Sequence, residues 1–262
     1  MNEQPTDVSV IVPVFNEAEC VGGVLAELAE VLQRDLPATF EIIVVDDGSS
    51  DDTPMIALAC AAKFPGIFRI IRHARNVGQS FAFHTGFRAA RGGVVVTIDG
   101  DGQNVPDDIP RVVATLKEKN CACCCGYRAQ RKDTFWKRFG SRLANGVRNH
   151  VLEEDIIDTG CSVKAFRREF VLGMQPWNGM HRFFASLVMM QGGAVEQIEV
   201  SHRPRAAGTS KYTNWSRLKK TVADLRAVKW LKSRSKVYEV ENISTAVESS
   251  REQSNAVETK NG

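Results

Sequence analysis

Short apolar runs alternate along this chain with segments in which apolar residues recur every three or four positions. Val8 to Phe15 and Phe40 to Asp47 read as extended strands, and Val21, Val24, Leu25, Leu28, Val31 and Leu32 between them carry helical spacing. That is a βαβ unit. Thr53 followed by Pro54 predicts a helix N-cap with a first-turn proline, and Ile56 to Phe64 then lead to a strand over Phe68 to Arg72. A third crossover spans Gly78 to Arg91 and ends at Gly92-Gly93, before the apolar run Val94 to Ile98. Ile109 to Lys117 predicts a helix and Cys121 to Tyr127 a strand. Phe135 to Val151 predicts an amphipathic helix with Lys137, Arg138, Arg142 and Arg148 on its polar face. Cys161 to Phe166 and Ala194 to Val200 read as strands flanking a helix over His181 to Gln191. Asn214 to Leu231 reads as a last helix, with Trp215, Leu218, Val222, Leu225 and Trp230 on or near one side. Alternation of this kind predicts an α/β fold with a mostly parallel central sheet and right-handed crossovers, so ligands should collect at the C-terminal strand edges.

The 262 residues fit one large domain over 1–232, including a basic amphipathic helix at 214–232, and a polar tail over 233–262 whose composition predicts disorder. Hydrophobic residues make up 43% and charged residues 25%, which are globular values, and a net charge of +3 gives no case for nucleic acid. Distribution says more than the sum. Arg203, Arg205, Lys211, Arg217, Lys219, Lys220, Arg226, Lys229, Lys232, Arg234 and Lys236 are opposed by Asp224 alone, a density suited to phosphates or an anionic membrane face. No window reaches the roughly 18 apolar residues of a membrane span, and no basic-then-apolar leader opens the chain. These readings predict a cytoplasmic protein, peripheral at the inner face of the membrane. Cys121, Cys123, Cys124 and Cys125 share one apolar run without a histidine at zinc spacing, and predict buried free thiols.

Candidate chemistry gathers where strands end. The run Val94 to Ile98 closes on Asp99-Gly100-Asp101-Gly102-Gln103, and alternate residues of an extended chain point one way. Asp99, Asp101 and Gln103 are therefore candidate hard-oxygen ligands for Mg²⁺ or Mn²⁺ clamping a diphosphate. The first strand ends Pro13-Val14-Phe15-Asn16-Glu17 and the second Asp46-Asp47-Gly48-Ser49. Phe15 can stack on a base or flank a ribose, and Asp46 can accept a base N–H. Nucleotidyl transfer would call for a glycine-rich phosphate loop after strand one, and Asn16-Glu17-Ala18-Glu19 supplies none.

Six segments occur in order: VSVIVPVFNE, VVDDGSSDDT, RNVGQSFAFHTG, TIDGDGQNVPDDI, DTGCSVKAFRRE and HRPRAAGTSKY. Together they resemble the family 2 inverting glycosyltransferases, and within them the polyprenyl-phosphate, dolichol-phosphate mannose synthase-like branch. The resemblance implies a single glycosyltransferase A (Rossmann-like) domain without transmembrane helices. It implies a hexosyltransferase moving a sugar from a UDP- or GDP-sugar to a polyprenyl phosphate in cell-envelope biogenesis, with room for a separate membrane-anchoring subunit. The alternative is a family 2 enzyme acting on a saccharide hydroxyl in polysaccharide or lipopolysaccharide assembly. By resemblance Pro13, Phe15, Glu17 and Asp46 hold base and ribose, Asp47 stands near ribose or diphosphate, and Asp99, Asp101 and Gln103 bind the divalent ion. Arg203 and Lys211, with Arg128 and Arg138, are the implied diphosphate and lipid-phosphate cations. Asp101, Asp158 and Arg203 are the implied catalytic set. Asp158 sits where relatives that glycosylate hydroxyls keep a catalytic carboxylate, whereas a phosphate acceptor arrives ionised and requires no base. His181 reads as a capping or core residue.

Overall fold

A computed structural model describes residues 6–129, 145–204 and 214–238, with side chains from 221 onward in the last stretch. The elements are β1 (Val8–Val14), α1 (Val21–Asp35), β2 (Phe40–Asp46), α2 (Thr53–Ala61), β3 (Phe68–Arg72), α3 (Gln79–Ala89), β4 (Val94–Thr97), α4 (Asp108–Glu118) and β5 (Cys123–Tyr127). A helix described over 145–152, here α5, precedes β6 (Lys164–Arg167), α6 (Arg168–Leu172), a 3₁₀ turn (Met180–Phe183), α7 (Phe184–Met190), β7 (Val195–Glu199) and α8 (Asn214–Arg234). The seven strands form one sheet in the order β3-β2-β1-β4-β6-β5-β7. All pairings are parallel except those of β6, which runs antiparallel to both β4 and β5.

Every residue of β1 is buried, because helices cover both faces of the sheet. Val8, Val10, Val12 and Val14 face a core with α1, α2 and α4, whereas Ile11 joins Ile43, Val45, Phe83, Phe87 and Phe184 on the other side. Gly86 lets α3 approach β1: a Cβ there would lie 2.3 Å from Ile11 Cγ2. Beneath this face Glu41 accepts from Ser9 Oγ (2.7 Å), Arg69 Nη1 (2.9 Å) and the Arg91 N–H (2.9 Å). Burial opposes the Glu41 charge, but these donors outweigh it and hold the carboxyl below its ordinary 4.5. A depressed folded value stabilises the fold above pH 4.5 and loses that contribution as pH falls through it. The melting temperature of Glu41→Gln should therefore depend less steeply on pH below 4.5 than that of the wild type; parallel melting curves would refute this.

Several expectations are corrected. The cap of α2 is Asp52, not Thr53: Asp51 Oδ1 takes the Thr53 N–H (3.0 Å), and Thr53 Oγ1 accepts the Glu17 N–H (2.8 Å). Arg148 is not on a polar face but buried, paired with Glu154 at 2.9 Å and lying 5.6 Å from the Phe183 ring centre. Residues 130–144, with Lys137, Arg138 and Arg142, lie outside the described residues, as does 239–262 of the polar tail. On α8, Val228 is buried and Leu225 packs beside it, while Val222 and Trp230 are exposed, so these residues do not share one side. The side chains of Trp215 and Leu218 lie outside the described residues. All seven thiols are free, and the four on the Cys121–Cys125 run are buried.

Candidate active site

Strands β2, β1 and β4 are neighbours, so Asp46 and the acidic loop after β4 stand two strand spacings apart, about 10 Å. The loops after β1 and β2 are laced together. Asn16 N–H donates to Ser49 Oγ (2.9 Å), and the Ser50 N–H donates to Asn16 Oδ1 (2.8 Å). Asp46 is fully buried at the end of β2, where its Oδ1 accepts from the Ser49 N–H (3.1 Å) and hydroxyl. Its Oδ2 lies 2.9 Å from Arg72 Nε without the alignment of a hydrogen bond, and so keeps an unused acceptor. Phe15 is half-buried one residue beyond β1. Pro13 pairs in register with Val45 inside the sheet, so it shapes the strand end from within.

The neighbouring acid has a different occupation. Asp47 Oδ1 accepts from His73 Nδ1 (2.7 Å) and the Val77 N–H (3.0 Å), and Oδ2 from Asn76 Nδ2 (2.8 Å) and the Gly78 N–H (2.7 Å). Both oxygens are committed to the loop over 73–78, so Asp47 orders that loop. Gly48, at φ 74°, makes the turn possible, since a Cβ would meet the Arg75 backbone at 2.5 Å. The ordered loop delivers Gln79, whose Nε2 donates to Asp99 Oδ1 (2.7 Å).

Asp99 and Asp101 feel each other's charge, and Gln103 is tied to Asp101 by its backbone, though not by strand alternation. β4 ends at Thr97 and the chain turns over 100–102, with Asp101 Oδ1 accepting the Gln103 N–H (3.1 Å). Burial and the adjacent Asp101 charge push the Asp99 carboxyl up to about 6, with Ser162, Lys164 and Arg128 pulling the other way. Two carboxylates that repel each other fit a divalent cation, and oxygen donors fit Mg²⁺ or Mn²⁺. Among the described residues no three His, Cys, Asp or Glu gather closely enough to hold an ion alone. Such ions are commonly held by one or two carboxylates with substrate phosphates completing the shell. Asp99 and Asp101 suit that division.

The later segments return to the same edge. The Arg203 N–H donates to Gln103 O (2.8 Å), and Asn104 bridges His202. The Arg203 side chain is half-exposed and forks onto Glu27 of α1, at 2.9 and 2.8 Å. Arg128 and Asp158 form a buried bidentate pair, Nε to Oδ2 (2.7 Å) and Nη2 to Oδ1 (3.0 Å). The Arg128 and Gly160 N–H groups donate to the same carboxylate at 3.3 and 3.1 Å. Arg128 is thus engaged with Asp158. Glu17 sits between the Thr53 hydroxyl and the Cys20 thiol, the latter 3.4 Å from Glu17 Oε2. His181 Nδ1 meets Ser80 Oγ at 2.8 Å, in keeping with a structural role. Arg138 and Lys211 lie outside the described residues. Gln79, Ser162 and Glu27 were not singled out by the sequence. Gln79 alone carried a signal, following the glycine that opens a helix at the ligand edge.

A parallel sheet carrying paired acids and an acidic turn at its C-terminal edge is the glycosyltransferase A architecture. Two solved structures of glucosyl-3-phosphoglycerate synthase from Mycobacterium tuberculosis share it. The complex with Mn²⁺, UDP and glucosyl-3-phosphoglycerate has a TM-score of 0.66 at 19% identity, covering 89% of this chain and 81% of that one. The complex with Mg²⁺ and UDP has a TM-score of 0.64 at 18% identity, with the same coverage of 89% and 81%. The chain belongs to glycosyl transferase family 2, whose model matches residues 9–172. It is 33% identical over 228 residues to dodecaprenyl-phosphate galacturonate synthase of Rhizobium johnstonii, covering 86% of this chain and 67% of that protein. It is 34% identical over 226 residues to undecaprenyl-phosphate 4-deoxy-4-formamido-L-arabinose transferase of Pseudomonas aeruginosa, covering 81% and 62%. The chain thus spans less than two thirds of the length of the second relative.

Proposed function

We propose that this chain transfers a sugar, with inversion, from a nucleoside-diphosphate donor to a polyprenyl phosphate at a membrane surface. The observation that carries the acceptor class is the state of Asp158. Four donors from Arg128 and Gly160 saturate its oxygens, and a carboxylate held that way is a poor proton acceptor. An acceptor at this edge must therefore bring its own negative charge, as a phosphate does, and a saccharide hydroxyl does not. Both relatives named above carry a polyprenyl phosphate in their names.

On the donor side, Asp46 Oδ2 accepts no hydrogen bond within the chain and would take one from a base N–H, and Phe15, one residue beyond the partner of Asp46 on β1, would supply the ring. Gln79 holds Asp99 in place, and Asp101 fixes the turn that presents Gln103. A divalent cation at these oxygens supplies charge neutralisation for the departing diphosphate. Glu17, Arg203, Lys211 and Arg138 complete the assignment by resemblance, Arg203 after exchanging Glu27 for phosphate. Among the described residues no helix is long and apolar enough to cross a membrane. Contact with an anionic inner face falls to α8 and the residues after it, where Arg226, Lys229, Arg234 and Lys236 accompany the exposed Trp230.

Incubation with labelled UDP- and GDP-sugars, Mg²⁺ or Mn²⁺ and undecaprenyl phosphate should move label into the organic phase. EDTA should abolish transfer and excess Mn²⁺ restore it. Donor consumption with label confined to the aqueous phase would replace the lipid acceptor with a saccharide, and EDTA-resistant transfer would remove the cation.

A further inference from the structure

Helix α2 is apolar on every side. Between Thr53 and Ala62 no residue is charged, and Thr53, Ala57 and Cys60 face the core. On the opposite side Met55 is 64% and Leu58 51% exposed, with Ala59 and Ala62 exposed beside them. Positions 55, 58, 59 and 62 repeat the i, i+3, i+4, i+7 spacing of a single stripe, and a helix with two apolar faces ordinarily has both covered. Single exposed apolar side chains are common, whereas a stripe of this kind marks a contact surface. The stripe continues onto Ile70 of β3, which with Met55 and Leu58 forms the apolar side of a cleft of about 510 Å³ whose other side is Ser49, Asp51 and Arg72. Among the described residues β3 is one of the two edge strands of the sheet.

We propose that this face binds a second copy of the chain, with the two α2 helices packed antiparallel about a two-fold axis. The stripe is self-complementary in that orientation. Leu58 falls against Ala59 of the second copy and Met55 against Ala62 of the second copy, so each large side chain meets a small one. The charges agree. Asp52 stands exposed just before the helix and Lys63 just after Ala62, so antiparallel packing sets each aspartate beside the opposite lysine at both ends. Parallel packing would set like charges together at each end. Antiparallel helix dipoles, whose opposite ends adjoin, favour the same orientation. An unrelated apolar partner has no reason to require opposite charges at the two ends of the stripe. The stripe itself holds neither donor nor acceptor, although the cleft beside it reaches Ser49 and Arg72, the partners of Asp46.

Sedimentation velocity on the full chain at tens of micromolar should give twice the 29.0 kDa monomer mass. Leu58→Glu places a carboxylate in the contact and should raise the dissociation constant at least about 100-fold, with its circular dichroism and melting curve retained. Asp52→Lys and Lys63→Asp should each weaken association about tenfold, and the double swap should return it to within about threefold of wild type. A monomeric wild type overturns the proposal, as does a dimer indifferent to Leu58→Glu. A double swap weaker than either single variant overturns the antiparallel two-fold arrangement.

Discussion

Asp101→Asn is expected to lower kcat/KM for sugar transfer by about 10³-fold while leaving the fold intact. The asparagine Oδ1 can still accept the Gln103 N–H that Asp101 accepts at 3.1 Å, so the turn over 100–102 keeps its shape. What disappears is one negative charge beside Asp99, in a site whose two acids are assigned to the cation. The loss should fall on the transition state, where the diphosphate gathers charge, more than on ground-state donor binding. Initial rates measured across Mn²⁺ concentrations test it. Activity within about tenfold of wild type at saturating Mn²⁺ would remove Asp101 from the donor set, since loss of a charge-stabilising group costs far more. An unchanged melting curve separates this effect from unfolding.

Arg148→Met is expected to cost about 3 to 5 kcal/mol of stability and to lower the melting temperature by roughly 10 °C. The guanidinium is buried, donates to Glu154 Oε2 (2.9 Å) and Asn149 Oδ1 (3.2 Å), and lies over the Phe183 ring. Burial lowers its pKa, against the opposing pull of Glu154. Methionine fills much of the space but leaves the Glu154 side chain, 2% exposed, without a counter-charge. The pair itself is imperfect, because Arg148 Nε and Glu154 Oε1 have no hydrogen bond. Replacing both, Arg148→Met with Glu154→Leu, should therefore recover most of the loss, as uncharged pairs of similar volume often do. Scanning calorimetry on the two variants decides it. A single variant within about 1 kcal/mol of wild type would mean that water reaches Glu154 in solution.

The sequence announces elements whose information is local. β3 and the parallel βα units follow from apolar runs, and the acids at their ends from residues within the same few positions. Long-range partners were hidden. Arg148 belongs on a polar face by helical spacing, and only Glu154, Ser186 and Phe183, brought together by folding, make it internal. Asp46 and Asp47 are adjacent and chemically identical. They part because one ends a strand beside Arg72, with an oxygen that accepts no hydrogen bond, while the other turns onto the loop over 73–78. Nothing near Asp158 in the sequence points to Arg128, thirty positions earlier, which forks onto it. Nor did apolar spacing reveal that β6 would run against its neighbours, because an isolated run such as Lys164–Arg167 carries no record of direction.

That reversal has a consequence for how specificity can be rewritten. A parallel strand contributes to the ligand edge with the chain that leaves it, whereas β6 contributes with the chain that enters it, Asp158 to Ser162. The end of β5 at Tyr127 and the start of β6 at Lys164 therefore lie at the same edge of the sheet. The part of the connection between them described from residue 145 onward is also core, since Arg148, Leu152 and Ile156 are buried. On the function proposed above, a change in acceptor contacts here must leave those buried positions in place, whereas the donor contacts sit on the early βα repeats.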